Sequence, residues 1–332
     1  MKTVILGFSG GVDSAVSAVL LKNAGYAVKG VYLDNTDDAA VHCAEETAVA
    51  IGIPLSVISI RQELEEEVCR PFMESYLSGR TPNPCILCNP ALKFRTLLSI
   101  ADADGADAIA TGHYACVRNG LLFRGNSEND QSYMLCRLKR EQVKRLVLPL
   151  GEYPKKEVRR MAEEFSLPVA HKPDSMEICF IPDRDYIGWL EKRAALPPSG
   201  PLLLHGSVIG RHRGIVCYTV GQRLPGLYDG RKVHISKINA ADNSIELSYW
   251  DELFKTEITA VDFNWLCDIP GEDFSASVRV RHTKWETPGC RVHVGDNGSV
   301  QIRCEEPVRA PAAGQSAVLY AGNQVLGGGF II

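Results

Sequence analysis

Apolar and polar positions in the first half of the chain follow two alternating patterns. Short apolar runs predict buried strands, and the longer segments between them show the apolar spacing of helices. Strands joined through helices require right-handed crossovers, which predicts an α/β domain built on a doubly wound parallel sheet. The predicted strands are residues 3–6, 28–33, 55–60 and 106–111, and the predicted helices are residues 14–24, 39–51, 94–103, 155–165 and 184–193.

The pattern changes at the proline-rich stretch 195–201. Beyond it, short alternating segments punctuated by Gly, Asn and Asp predict antiparallel β structure that ends in a small C-terminal β-barrel. We therefore expect three domains. They comprise an α/β domain of residues 1–196, a small central domain of residues 197–253 and the barrel of residues 254–332.

A loop with the sequence Ser-Gly-Gly-Val-Asp-Ser, residues 9–14, joins the first predicted strand to the first helix. Its glycines let the backbone approach an anion, its hydroxyls and amides can donate hydrogen bonds, and the helix start adds partial positive charge. The loop resembles the pyrophosphate (PP) loop of ATP pyrophosphatases, which activate a carbonyl oxygen by adenylation. The alternative is an ordinary glycine-rich turn in which Ser or Asp caps the helix.

Composition narrows the class of protein. The chain has 332 residues, 45% of them hydrophobic, and no apolar run approaches the roughly 20 residues that span a bilayer. We expect a cytoplasmic protein that makes no membrane contact, because the N-terminus runs directly into the phosphate loop. The net charge of −4 excludes a nucleic-acid signature for the whole chain. Residues 137–160, however, hold nine Lys or Arg against three Glu, which fits either a basic RNA-binding face or two solvated helices.

Cysteines provide the second chemical signal. The chain has eleven, an odd number that favours reduced thiols over a disulfide scaffold. Cys85 and Cys88 form a C-x-x-C pair, and Cys179 stands in a distant Ile-Cys-Phe-Ile segment. Thiols that meet in space can pass sulfur from a persulfide and then close a disulfide. A zinc site lacks a second ligand pair, a thioredoxin-type pair needs another context, and the other eight cysteines fit inert core positions.

Eight motifs follow one another over nearly the whole chain. They are Ser9 to Ser14, Thr-Pro-Asn-Pro 81–84 with Leu-Cys-Asn 87–89, Lys93-Phe94, Ala-Thr-Gly-His-Tyr 110–114, Asn-Asp-Gln-Ser-Tyr 129–133, Asp174-Ser175 with 178–181, Gly-Gln-Arg 221–223 and Gly-Gln-Ser-Ala-Val 314–318. In this order they resemble the tRNA-specific 2-thiouridylases. In that family, ATP adenylates the C2 oxygen of the wobble uridine, position 34, in tRNAs for Lys, Glu and Gln, and a persulfide cysteine delivers sulfur.

The resemblance assigns roles residue by residue. Cys179 is implied to carry the persulfide, and Cys88 to form a transient disulfide with it. Asp13 is implied to act near the phosphates through Mg²⁺, or else only caps the helix. The ATP-binding set is Gly7, Phe8, Ser9, Gly10, Gly11, Val12, Asp13, Ser14, Leu33 and Gly112. The tRNA-binding set is Asn83, Pro84 and Cys85 at the target base, Asn129, Asp130 and Gln131, and Arg281 with His282 where the family usually has Arg-Tyr. His113 and Gln315 are either activity-modulating or structural.

Cys85 is the main departure from the family pattern, which commonly has Asp at that position. Three thiolates can hold a [4Fe-4S] cluster and leave one iron open to sulfide. Cys85, Cys88 and Cys179 therefore have two interpretations, a persulfide pair with a bystander thiol or a cluster site. The sulfur donor, expected to be a cysteine desulfurase or a relay protein, and the oligomeric state do not follow from the sequence.

Overall fold

The computed structural model describes residues 1–35, 38–126, 128–173, 178–181, 183–283 and 285–332. The motif Asp174-Ser175 lies outside the described residues. Nine α-helices can be bounded in the described part of the chain. They are α1 (Val12–Asn23), α2 (Asp38–Ile51), α3 (Arg61–Leu64), α4 (Arg70–Leu77), α5 (Pro84–Cys88), α6 (Phe94–Ala103), α7 (Arg140–Lys144), α8 (Lys155–Glu164) and α9 (Tyr186–Glu191).

Strands are distributed along the whole chain. Short 3₁₀ turns occupy Ser132–Leu135, Ile215–Cys217 and Trp250–Leu253, and π turns occupy Glu65–Cys69 and Asn89–Lys93. The strands are β1 (Thr3–Gly7), β2 (Ala27–Asp34), β3 (Leu55–Ser59), β4 (Ala108–Ala110), β5 (Ala115–Arg118), β6 (Leu121–Arg124), β7 (Leu146–Val147), β8 (Pro201–Leu204), β9 (Ser207–Arg211), β10 (Val233–Asn239), β11 (Ser244–Tyr249), β12 (Phe254–Trp265), β13 (Asp273–Arg279), β14 (Thr287–Val294), β15 (Val300–Arg309), β16 (Ser316–Ala321) and β17 (Gln324–Ile331).

The N-terminal sheet is parallel and doubly wound, as the sequence predicts. Its strand order is β3-β2-β1-β4-β7, and every pairing is parallel. The central strand β1 is apolar and buried because helices cover both faces of the sheet. One face packs against α1, α2 and α8, and the other against α6. This topology places the ends of β1, β2 and β4 along one edge.

The second sheet has the order β10-β11-β8-β9. The sequence predicts antiparallel strands here, and this holds for two of the three pairings. The exception is the pairing of β8 with β11, which is parallel. Its core is continuous with the apolar faces of α4 and α9, so the central sheet rests against the N-terminal domain.

The C-terminal sheet closes into an antiparallel barrel, as predicted. Strands follow the order β12-β15-β14-β13-β16-β17, and β12 pairs with β17 to complete the circle. The sequence reading missed the hairpin of β5 and β6, which extends this sheet from β17. The domain boundaries at 196/197 and 253/254 stay predictions. In the described part of the chain, no helix is long and apolar enough to cross a bilayer.

Candidate active site

The phosphate loop leaves β1 and enters α1 at the carboxyl edge of the parallel sheet. Gly10 has φ +64°, and a Cβ there would lie 2.6 Å from the Ala44 Cα, so both the backbone shape and α2 exclude a side chain. Gly11 caps α1, and the structure shows no side-chain cap at this end. The hydroxyls of Ser9 and Ser14 lie 3.2 Å apart, and Ser14 Oγ donates to the Gly11 carbonyl. The helix start is thus left open to an anion.

Asp13 does not cap the helix. It forms an ion pair with Lys155 that the sequence analysis did not predict. Lys155 Nζ lies 2.7 and 2.8 Å from its two carboxylate oxygens, and Tyr114 Oη donates to one of them at 2.7 Å. Lys155 is the first residue of α8, which follows the parallel strand β7, so its helix start lies at the same edge of the sheet. This position of the helix start in the topology is the feature from which Lys155 could have been predicted. The loop thus holds a lysine beside its carboxylate.

Gly112 brings the end of β4 against the loop. A Cβ on Gly112 would lie 3.1 Å from Asp13 atoms, a tight contact, so the close approach favours glycine. Leu33, at the end of β2, is half-buried and packs against two of the hydrophobic cores. The strand ends of β1, β2 and β4 therefore converge as the topology requires. Asp34 follows Leu33 but is engaged by Arg61, 3.0 Å away.

Cys85 and Cys88 lie three residues apart, on one face of the short helix α5. The pKa of Cys88 is raised to about 11, chiefly by desolvation; the positive charge of Lys93 opposes this shift, and nearby Cys179 and Cys85 add to it. Cys85 keeps an exposed surface, yet desolvation and the neighbouring Cys179 also raise its pKa. The three predicted thiols therefore lie within electrostatic reach of one another.

Cys179 is exposed and lies beside the end of β2. Asn35 Nδ2 donates to the Cys179 carbonyl at 3.4 Å, and Asn35 directly follows β2. The region of the thiols thus adjoins the sheet edge that carries the phosphate loop. Sequence distance, about 90 residues between Cys88 and Cys179, concealed this approach.

The side chain of His113 contacts Thr111 and the ring of Phe94. Its Nδ1 lies 2.7 Å from Thr111 Oγ1, and its ring is 5.8 Å from that of Phe94. Desolvation, reinforced by the positive charge of Lys93, lowers the pKa of His113 to about 3. The imidazole is therefore neutral at physiological pH and offers no positive charge. The positive charge that acts on His113 belongs to Lys93, which the sequence analysis named only as part of a motif.

The predicted target-base residues precede the thiols. Asn83 caps α5 with its backbone, and its Nδ2 contacts the sulfur of Met134 at 3.3 Å. Pro84 is buried as the first residue of that helix. Gln315 reaches this segment from the barrel, because its Nε2 donates to the Thr81 carbonyl at 3.0 Å. The structure thus places Gln315 beside the Thr81–Cys88 segment.

The predicted tRNA contact at residues 129–131 is tied into the protein. Asp130 accepts from the amides of Gly125 and Ser132 and is ion-paired with the buried Arg279 at 2.6 Å. Gln131 Oε1 accepts from the Tyr114 amide, while Asn129 is exposed. Through these bonds Asp130 and Gln131 stabilise the fold. Their contact with tRNA stays a prediction.

The second predicted tRNA contact lies on the barrel. Arg281 donates to the carbonyls of Val220 and Ala310 at 2.6 and 3.0 Å. His282 is exposed, and its Nε2 lies 3.3 Å from the Asp130 carbonyl. Partial desolvation is the largest cause that lowers the pKa of His282, and the Asp130 carbonyl opposes it.

The basic segment 137–160 does not form one free face. Its arginines are bonded within the protein: Arg137 to Asp262, Arg140 to Asp268, Arg145 to Asp102, Arg159 to the Ala170 carbonyl and Arg160 to Glu157 and Glu164. Lys139, Lys144 and Lys156 are exposed and form no ion pair with a described residue. Intramolecular pairing therefore accounts for most of this charge.

The described thiols are not arranged around a single metal ion. The one group of three Cys, His or carboxylate ligand atoms within 4.8 Å of one another, among the described residues, is Glu272, Asp273 and His293 on the barrel surface. A cubane cluster holds its thiolates farther apart than one ion does. The spacing criterion therefore bears on a zinc site only.

Comparisons with known proteins place this geometry in a family. Residues 2–183 match the family model described as tRNA methyl transferase HUP domain, and residues 255–331 match the Aminomethyltransferase beta-barrel domain. The chain is 41% identical to the tRNA-specific 2-thiouridylase MnmA of Syntrophotalea carbinolica, over 99% of this chain and 98% of that protein. The chain belongs to the tRNA-specific 2-thiouridylase family. The resemblance inferred from eight motifs is thereby confirmed.

Another relative supports the same family. The 2-thiouridylase MnmA of Carboxydothermus hydrogenoformans is 39% identical over 99% of this chain and 97% of its own length. The domain descriptions speak of methyl transfer, whereas these full-length relatives are named thiouridylases; the full-length match is the more specific. A 4-thiouridine synthetase in complex with RNA and ATP is 18% identical, over 57% of this chain and 50% of that one, with a TM-score of 0.37. That likeness is too low to support a functional conclusion.

Proposed function

We propose that this chain is an ATP-dependent tRNA sulfurtransferase that converts the wobble uridine, position 34, into 2-thiouridine. One observation carries the proposal: the region of Cys85, Cys88 and Cys179 adjoins the sheet edge that bears the phosphate loop. Uridine O2 is a poor leaving group until it is adenylated, so activation and sulfur transfer must occur side by side. Membership of the 2-thiouridylase family supports this assignment.

In the first step, uridine O2 attacks the α-phosphorus of ATP, the bond to the β-phosphate breaks, and pyrophosphate leaves. Residues 7–14, with Leu33 and Gly112, form the proposed nucleotide site. The open start of α1 and the hydroxyls of Ser9 and Ser14 can stabilise the charge on the leaving phosphates. Lys155 adds a cation that can be shared between Asp13 and the phosphates.

In the second step, the Cys88 thiolate attacks the inner sulfur of a persulfide on Cys179. The Cys88–Cys179 disulfide forms, hydrosulfide is released, and hydrosulfide displaces AMP from C2 of the uridine. A thiol reductant then supplies two electrons to restore both thiols. Lys93 assists because its charge opposes the raised pKa of Cys88.

Mg²⁺ supplied with ATP would offset phosphate charge in such a reaction. Asp13 fits poorly as its ligand, because Lys155 and Tyr114 already occupy the carboxylate.

The tRNA substrate must present its wobble base outside the anticodon stack. Asn83, Pro84 and Cys85 are the proposed contacts of that base, and His113 and Gln315 the residues that position the site around it. Asn129 to Gln131 and Arg281 with His282 are the proposed backbone contacts. The proposed substrates are tRNAs for Lys, Glu and Gln, and the proposed sulfur source is a cysteine desulfurase or a relay protein.

The deciding experiment supplies ATP, unmodified tRNA and either sulfide or a persulfide donor, and quantifies 2-thiouridine in digested tRNA. We expect product with the wild type and a loss of at least about 10³-fold with Cys179→Ala or Cys88→Ala when a persulfide donor is used. Cys217→Ala is the matched control, since Cys217 is half-buried in a 3₁₀ turn outside the site. Full activity of Cys179→Ala with the persulfide donor would remove its role as carrier.

Iron analysis separates the persulfide pair from the cluster. Protein purified without oxygen should be colourless, free of iron and fully active if the persulfide proposal is right. Stoichiometric iron and sulfide that disappear in Cys85→Ala, together with the activity, would instead establish the [4Fe-4S] interpretation.

A further inference from the structure

Exposed cations gather where the central sheet meets the barrel, outside the site described above. We call Arg223, Lys232, Arg309 and the indole ring of Trp250 the junction patch. All four side chains are exposed. Arg223 lies in the segment before β10, and Lys232 directly precedes that strand. Arg309 ends β15, and Trp250 begins the turn that precedes β12.

Contacts through His234 bring the members of the junction patch together. Arg223 forms a β-bridge with His234, and Lys232 stands two residues before it. The guanidinium of Arg309 lies 4.2 Å from the centre of the Trp250 ring, and that ring lies 5.4 Å from the ring of His234. Burial and then the charges of Arg309, Arg223 and Lys232 lower the pKa of His234, which agrees with this grouping.

The charge of the junction patch is not neutralised within the part of the chain that the structure describes. Arg223, Lys232 and Arg309 have no ion pair with any described residue. The carboxylates of the adjoining turn are engaged elsewhere: Asp251 accepts from Arg231 at 2.7 Å, and Glu252 lies 2.9 Å from His205. The arginines of segment 137–160 are bonded within the protein, whereas these three cations gather at one place without an ion pair to a described residue.

Backbone contacts link the junction patch to the segment that carries the active-site thiols. Arg309 adjoins Ala310, whose carbonyl accepts from Arg281. The segment that follows then reaches the loop before α5: the Thr81 amide donates to the Ala313 carbonyl at 2.9 Å. Thr81 leads directly to Asn83 and the thiols. The short segment 309–313 therefore joins Arg309 of the patch to the loop before α5.

We propose that Arg223, Lys232 and Arg309 bind successive phosphates of the tRNA strand whose uridine enters the active site. Clustered cations without an ion pair to a described residue suit a polyanion, because each phosphate neutralised releases condensed counterions. The Trp250 ring stabilises the position of the Arg309 guanidinium by a cation–π contact and offers an exposed aromatic surface. This proposal rests on the proposed function for the identity of its ligand.

The test measures the affinity for unmodified substrate tRNA between 50 and 300 mM salt, with the full-length protein and its Arg223→Ala, Lys232→Ala, Arg309→Ala triple variant. We expect the slope of log affinity against log salt to become shallower by about 1 for each phosphate contact removed, or roughly 3 in total. Arg303→Ala is the matched control, because Arg303 is an exposed arginine of the same strand that is paired with Glu257. The control should keep the wild-type slope.

Unchanged affinity and slope in a folded triple variant would overturn the proposal. If the triple variant is unstable, Lys232→Glu replaces it in the test, since an exposed lysine can change sign without disturbing packing. Lys232→Glu should weaken the binding of tRNA, most strongly at low salt. If sulfur transfer failed only from a protein donor while tRNA binding and transfer from sulfide were normal, the patch would bind an acidic protein instead. A third outcome is that the wild-type protein forms no 2-thiouridine, while the triple variant binds tRNA more weakly than the wild type does. That outcome would support the role of the patch and reject the proposed function.

Discussion

At the scale of single residues, the phosphate loop depends on a backbone shape that glycine adopts at little cost. Gly10 combines a positive φ with the closest approach of α2, whereas Gly25 has φ +84° but no heavy atom within 4 Å of a built Cβ. The two positions separate backbone strain from steric conflict. The loop is therefore a place where sequence and packing impose the same residue.

We predict that Gly10→Ala lowers the free energy of unfolding by about 2–4 kcal/mol and abolishes ATP binding, because α2 must shift as well as the loop. The control Gly25→Ala should cost only about 1 kcal/mol. Urea denaturation and ATP titration measure both effects. Equal losses of stability in the two variants would contradict the steric argument.

Lys155 provides a second prediction at this scale. Replacing Lys155 by Met removes the cation beside Asp13 while keeping the length of the side chain. We expect pyrophosphate release to slow by about 10²-fold, the usual effect of removing one preorganised charge from a transition state. Lys156→Met, one residue along α8 and exposed, should retain wild-type rates. A wild-type rate in Lys155→Met would restrict Lys155 to a structural role.

At the scale of elements, ion pairs join the N-terminal domain to the barrel, and their burial decides their importance. Arg279 of β13 and Asp130 have only 5% and 13% of their side chains exposed. Arg140 of α7 and Asp268 form a comparable link, with 44% and 99% exposed. Removing one partner of a buried pair leaves an uncompensated charge, whereas an exposed pair is replaced by water.

We therefore predict that Asp130→Ala lowers the free energy of unfolding by about 3–5 kcal/mol. Asp268→Ala should change it by less than about 1 kcal/mol. Chemical denaturation of the two variants gives the comparison. If Asp130→Ala unfolded like the wild type and lost only tRNA affinity, Asp130 would be a tRNA contact without the structural function we assign.

The element scale also shows where sequence patterns suffice. Strands β1 to β4 of the parallel sheet and helices α1, α2, α6 and α8 were predicted within a few residues, because each has local apolar spacing, whereas the two-residue strand β7 was not predicted. The hairpin of β5 and β6 was missed, since its partner β17 lies about 200 residues away. Non-local pairing of this kind leaves no local period to detect.

At the scale of the whole molecule, buried thiols couple stability to pH. Burial raises the pKa of Cys69 and of Cys136 to about 12, and that of Cys88 to about 11. In the unfolded chain these thiols ionise near their ordinary pKa of about 8.5. The unfolded state thus loses protons first as the pH rises, and folding stability falls with pH.

We predict that the free energy of unfolding declines above about pH 9, as these thiols ionise in the unfolded chain, until the folded pKa values near 11–12 are reached. Each fully buried thiol contributes a slope of up to about 1.4 kcal/mol per pH unit. Urea denaturation under reducing conditions at pH 8, 9 and 10 measures this decline. Cys136→Val should reduce the slope, and an unchanged slope in that variant would contradict the assignment.

The sequence alone determined the fold class, the phosphate loop, the three thiols and the family, because each depends on a local pattern or an ordered set of motifs. Only the tertiary structure decided that Lys155 neutralises Asp13, that Asp130 supports the barrel, and that most of the basic segment is paired internally. It also located the junction patch. These features depend on which side chains meet across long stretches of chain, and packing, not spacing along the sequence, selects the partners of a charge.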